Sequence, residues 1–159
     1  MHTLLLIATM VVAPGGGEQI TGPRSALPAA REKQLLAGEG VGQAAAAEMT
    51  GYPGPKHVLD QGDTLKLSAE QRAQAQESFD RMNADVRRLG ADLVQAERDL
   101  YGTFESGAVT PEAIDAVTTK IGRLQGAIRA RHLKAHLETK ALLTAEQLRL
   151  YTPHTAHAH

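Results

Sequence analysis

His132 and His136 stand four residues apart in the run Arg131-His132-Leu133-Lys134-Ala135-His136. On a helix this spacing places both Cβ atoms on one face about 6 Å apart, so both imidazoles can reach a single cation. Two ligands do not complete a site. The residue after the first histidine is Leu133, where a zinc protease of the His-Glu-x-x-His type carries the glutamate that activates water, so that hydrolytic chemistry is not encoded. The chain has no cysteine, which removes thiolate zinc sites, iron–sulfur clusters, disulfides and a cysteine nucleophile. No set of residues offers a nucleophile, a base and an oxyanion donor together, and the expectation is a binding protein rather than an enzyme.

The histidines need a scaffold, and composition restricts it. At 159 residues and 17.0 kDa the chain has the size of one domain. With two Phe, three Tyr, no Trp and 42% apolar residues, its core suits thin helix-on-helix packing better than a β-sandwich. The net charge of −1 comes from 17 basic and 18 acidic side chains that interleave, so there is no basic patch for a phosphate backbone and nucleic acid is excluded as a partner.

The expected fold is all-α: a long antiparallel helical hairpin with short flanking helices. Ser68 opens the first long helix with a capping box, Ser68-Ala69-Glu70-Gln71. Phe79, Met82, Val86, Leu89, Leu93, Leu100 and Phe104 then recur at spacings of three and four, with Ala96 bridging the longer gap. Such a helix, about 37 residues, would be roughly 55 Å long, and a rod of that length needs a second rod beside it. Glu105 to Val109 supply a turn, and Thr110-Pro111 restarts a helix with a threonine cap and proline at its first position. Its stripe is Ile114, Val117, Ile121, Leu124, Ile128, Ala135 and Leu142. A last short helix opens with a second capping box at Thr144 and Gln147, with Leu143 and Leu148 placed to form a hydrophobic staple, and ends at Pro153. Turning the hairpin near Gly107 makes facing residue numbers sum to about 214, which sets His132 near Met82 and His136 near Ser78 and brings Asp80, Glu77 and Asn83 within reach of the imidazoles. Ahead of the hairpin, glycines 38, 40 and 42 weaken the stretch Ala30–Met49, each by about 1 kcal/mol, and only Ala44–Met49 reads as firmly helical. Gly51-Tyr52-Pro53-Gly54-Pro55 is a non-helical joint, with Pro55 starting a short helix that carries His57.

The elements Leu67-Ser68-Ala69-Glu70-Gln71 and Leu143-Thr144-Ala145-Glu146-Gln147 bracket this hairpin in an arrangement that resembles the Spy/CpxP superfamily, which includes CnrX- and ZraP-like periplasmic metal-resistance proteins. The likeness runs from about Gly51 to Tyr151. Members are small all-helical envelope proteins, often dimers, that act as ATP-independent chaperones, stress adaptors or metal sensors. In CnrX-like members a His-x-x-x-[His/Met] pair precedes the second motif, a carboxylate stands on the facing helix, and further histidines lie upstream of the first motif. On that alignment His132 and His136 match the pair and His57 matches an upstream ligand, the Pro-rich joint folding its segment back toward His136. The sequence departs from the pattern at Gln61, where a second upstream histidine is expected, and at Phe79, which takes the place of the carboxylate beside Asp80. The implied metal ligands are therefore His57, Asp80, His132 and His136. This mixed nitrogen and oxygen set suits Zn, Ni, Co or Cu.

The resemblance implies a non-enzymatic exported protein that binds or senses a divalent transition metal in envelope metal resistance. The alternative is an ATP-independent periplasmic chaperone or stress adaptor with no essential metal. Expected partners are a second copy of the chain in a homodimer, and unfolded clients or a membrane signalling protein. Leu4–Ala13 is an uncharged run of about ten residues, the length of a signal-peptide core and half that of a membrane span, and periplasmic export follows from it. The chain thus divides into a leader over 1–25, an Ala/Gly/Pro-rich segment over 26–55, the hairpin domain over 56–152 and a His-rich flexible tail over 153–159. Leu133 and Leu137 point away from the Ile121–Ile128 stripe at 100° per residue and need another cover, for which a dimer with the last helix contributing is the expectation.

Overall fold

The computed structural model describes residues 24–152; the leader run Leu4–Ala13 and the histidines of the tail lie outside them. The described residues are helical throughout, with no strand. In chain order they form α1 (Ala29–Ala37), α2 (Ala45–Glu48), α3 (Pro55–Asp60), α4 (Ala69–Glu105), α5 (Pro111–Leu142) and α6 (Ala145–Leu150). No helix among them is long and apolar enough to cross a membrane.

The hairpin of α4 and α5 is the frame. Ser68 Oγ accepts from the Gln71 amide and the Gln71 side chain accepts from the Ser68 amide, so the first capping box satisfies two orphan donors at the start of a 37-residue helix. Thr110 caps α5 through Ala113 N, with Pro111 behind it. Met82, Val86, Leu93, Val94 and Ala96 meet Ile121, Ile128 and Ala135 in one buried seam, and Phe79, Leu89, Leu100, Val117 and Leu124 flank it. Polar contacts across the hairpin fix its register. Ser78 Oγ donates to Glu138 at 2.7 Å and Arg131 Nε donates to Asp85 at 3.0 Å, so facing numbers sum to 216, close to the expected 214. Partial burial alone would raise the Glu138 carboxyl, but the Ser78 hydroxyl and the Arg131 and Arg81 guanidinium groups outweigh it and hold the carboxyl below its ordinary value.

The segment before the hairpin differs from expectation. The firm helix is α1, with Leu35 buried in the seam, whereas Ala45–Glu48 is a single turn. The nine residues of α1, AAREKQLLA, are all strong helix formers and the glycines lie beyond its end; packing on α4 supplies what so short a helix lacks alone. The crossing is close: a Cβ at Gly90 would stand 2.2 Å from the Leu35 carbonyl oxygen, so only glycine lets the two backbones touch here. A part-buried ion pair of Glu32 with Arg98 pins one end of α1. At the other, Gly38 ends the helix in the left-handed conformation at φ 74°.

A second cluster closes the motif-bearing end of the hairpin: Val58, Leu65, Leu143 and Tyr151, with Leu67 and Leu148 against them. Here the two capping boxes join. The Gln71 and Gln147 side-chain amides pair reciprocally at 2.9 Å across 76 residues of chain. Gln71 Nε2 also donates to the Leu142 carbonyl at 2.8 Å, and Gln147 Nε2 to the Leu65 carbonyl at 3.2 Å. Each glutamine thus caps its own helix through Oε1 and ties the other motif through Nε2.

α6 is therefore tied to the start of α4 and to Leu65, and within the chain it does not cover Leu133 and Leu137. Leu133 lies half-buried beside Ala46, Ala47, Thr50 and Tyr52, while Leu137 is 57% exposed.

Candidate metal site

The stripe of α5 that builds the seam also carries His132 and His136, and burial follows from it: each is 5% exposed, at the face bounded by Ile128, Ala135 and Thr139. Backbone carbonyls orient both rings. His132 Nδ1 lies 2.9 Å from the Ile128 oxygen and His136 Nδ1 lies 2.7 Å from the Tyr52 oxygen. A carbonyl can only accept, so Nδ1 carries the proton in both rings and Nε2 of the neutral imidazole keeps its lone pair. His132 Nε2 is buried and has no hydrogen-bond partner. Burial is the main cause that holds the His132 imidazole below its ordinary pKa; the Ile128 bond opposes it, and the charges of His136 and Arg131 act with it. A neutral ring with Nδ1–H anchored on a carbonyl and Nε2 unengaged is the form in which histidine ligates a metal.

The Pro-rich joint supplies the opposite wall. Pro53, Gly54 and Pro55 are buried, and a Cβ at Gly54 would stand 2.9 Å from His136 Nε2. Lys140 Nζ sits 3.5 Å above the Tyr52 ring, a cation–π contact that steadies the residue whose carbonyl holds His136. His57, on α3, lines the same cavity as His132 and His136, a space of about 500 Å³. The joint thus folds back over the hairpin as its sequence suggested.

Three of the four expected ligands share this cavity and Asp80 does not. From α4 the lining residues are Phe79, Met82 and Asn83. Asp80, one residue or 100° further round, is exposed and accepts from Gln76 at 2.9 Å. Glu77 is likewise on the outer face, paired with Arg81 at 2.8 Å. Gln61 has a different task where a second histidine was expected: its amide donates to the Thr152 carbonyl at 2.9 Å and accepts from the Thr152 amide at 3.2 Å, stitching α3 to the end of α6. The carboxylates that line the cavity are Glu39 and Glu48, from the α1–α2 loop and α2. Their one sequence signal is an acidic residue set among glycines 38, 40 and 42, which marks a close backbone approach as readily as a broken helix. Among the described residues no three of His, Asp or Glu are gathered at metal-holding distances. The donor chemistry of the cavity fits a transition metal in its three imidazoles and two carboxylates.

Fold and cavity together define a class: an all-helical hairpin with two buried histidines oriented by backbone carbonyls, one of them, His132, without a hydrogen-bond partner at Nε2. The chain belongs to the heavy-metal resistance family, whose model matches residues 5–149. Comparison with curated proteins and with solved structures gives no significant match.

Proposed function

We propose that this protein acts in heavy-metal resistance by binding a divalent transition-metal ion through Nε2 of His132 and His136, with His57 as a third ligand. The observation that carries this reading is the buried His132 Nε2, a lone pair with no partner in a ring already fixed by its Nδ1 bond to Ile128. Evolution could satisfy such an atom with one hydroxyl; left unsatisfied, it costs about 1–3 kcal/mol, which a bound cation would repay. The family match supports the role in heavy-metal resistance; the signal-like run Leu4–Ala13 and the resemblance of the two capping-box motifs to Spy/CpxP-like metal sensors are the grounds for reading it as a non-enzymatic protein exported to the periplasm. The bound ion would supply a positive charge that joins α5 to the α3 segment. Exposed Met49 (86%) and Leu137 (57%) favour contact with a second copy of the chain.

Calorimetric titration with Zn²⁺, Ni²⁺ and Cu²⁺ tests the reading. Wild-type protein should bind one ion per chain, His136→Ala should weaken binding at least tenfold, and deletion of His154–His159 should change it much less, because His132 and His136 are already fixed on α5 by their Nδ1 bonds. Binding abolished by the tail deletion and untouched by His136→Ala would move the metal to the tail. The chaperone alternative predicts something else: suppression of client aggregation that is equally strong with chelator present.

A further inference from the structure

The cavity has a gap in its acidic wall and a cover over its best ligand, and both lead to the same piece of chain. From α4 the residues that line the cavity are Phe79, Met82 and Asn83, an aromatic ring, a thioether and an amide. A dication held by neutral imidazoles alone keeps its full charge in a low-dielectric setting, so a carboxylate is strongly favoured nearby. The carboxylates on the cavity wall belong to Glu39 and Glu48. Glu39 lies in the loop from Gly38 to Gly42, whose end glycines have φ of 74° and 71°, and Glu48 closes the single turn of α2 that follows. The centre of the loop rests on His132: a Cβ at Gly40 would stand 2.4 Å from Nε2 and 2.5 Å from Cδ2. No cation fits between Gly40 and that lone pair.

Building on the metal reading above, we propose that the Gly38–Glu48 segment is the acidic arm of the site: it contributes the Glu39 and Glu48 carboxylates that α4 does not offer, and it draws Gly40 off His132 Nε2 when a cation enters. The segment suits this movement. It joins α1, which is locked to α4 at Gly90, to the single turn of α2, and left-handed glycines at both ends of the loop give it hinges at low conformational cost. Metal binding then moves a surface loop, which converts occupancy into a change of shape that a partner can read.

The test is zinc titration of the full chain by calorimetry, with amide hydrogen exchange alongside. Glu39→Gln/Glu48→Gln together should weaken zinc binding at least tenfold, while Asp80→Asn should stay within about twofold of wild type. Gly40→Ala, whose methyl cannot lie on the imidazole, should bind zinc more tightly, because less binding energy goes into uncovering Nε2. Should Gly40→Ala fail to fold, the wild type still decides: the Gln43 amide, bonded to the Gly40 carbonyl at 2.9 Å, should change its exchange rate on adding zinc. Zinc binding that survives in the double variant and is lost in Asp80→Asn, or a Gln43 amide indifferent to zinc, would overturn the acidic arm and leave the histidine site standing. No zinc binding by wild type would overturn both.

Discussion

The two ends of the hairpin share one seam and little else. At the motif-bearing end α3 and α6 close over α4 and α5 while α1 crosses α4 midway at Gly90, Leu65, Ala135 and Thr139 have no exposed surface, and every polar group of the two capping glutamine side chains is used. At the turn end Phe104 is 57% exposed, Val109 is 37% exposed, and Cβ atoms added at Gly102 or Gly107 would meet nothing within 4 Å. The histidines lie wholly in the wrapped half. A preorganised ligand needs a rotamer locked by packing and by a second hydrogen bond, and two helices alone can lock one face of each other but not the ring of a side chain on their flank. The third layer does that: Tyr52 holds His136, and Gly40 buries His132.

The contrast is broken most directly at Leu65. Leu65→Ala, at a site with no exposed surface, should cost about 2–5 kcal/mol in urea unfolding and loosen α3 and α6 together. Gln147→Ala should follow at about 2–3 kcal/mol, because it orphans the Thr144 amide and the Leu65 carbonyl and takes from the Gln71 side chain its partner across the clasp; a loss no larger than that of an exposed glutamine would mean that the clasp between the motifs is not structural.

Acidification should act on the same end with a smaller effect. The His132 pKa is lowered in the folded chain, so below the unfolded value near ~6.5 the unfolded state binds more protons, and stability present at higher pH is lost as pH falls through that value. His136, His57, Arg131, Glu39 and Glu48 surround it, and His132→Gln isolates its share. Metal-free wild type should lose stability between pH 7.5 and 5.5, and the variant should lose less; parallel pH profiles would assign the dependence to the neighbours. The smallest effect belongs to the turn end, where Phe104→Ser should stay within about 0.5 kcal/mol of wild type. A large loss there would reveal a cover on Phe104, and with it a partner surface at the open end.

What could be read from residues alone was whatever depends on near neighbours in the chain. Three- and four-residue apolar spacing dictates two long helices, Ser68, Thr110 and Thr144 mark their starts, and the short turn at Gly107 sets the register to within two residues, because helix geometry is local and periodic. The His132–His136 pair was visible for the same reason. Packing between distant segments decided the rest. The apolar stripe already puts Phe79 inward and Asp80 100° away from it; which carboxylates line the cavity, Glu39 and Glu48, was decided by the docking of the loop and turn that precede the joint. The Gln71–Gln147 pairing, the Gln61 stitch to Thr152 and the meeting of Gly40 with His132 each join residues far apart in the chain. None leaves a periodic trace, since a glycine that allows close approach and a glycine that merely ends a helix are the same letter until a second backbone arrives to fill the space.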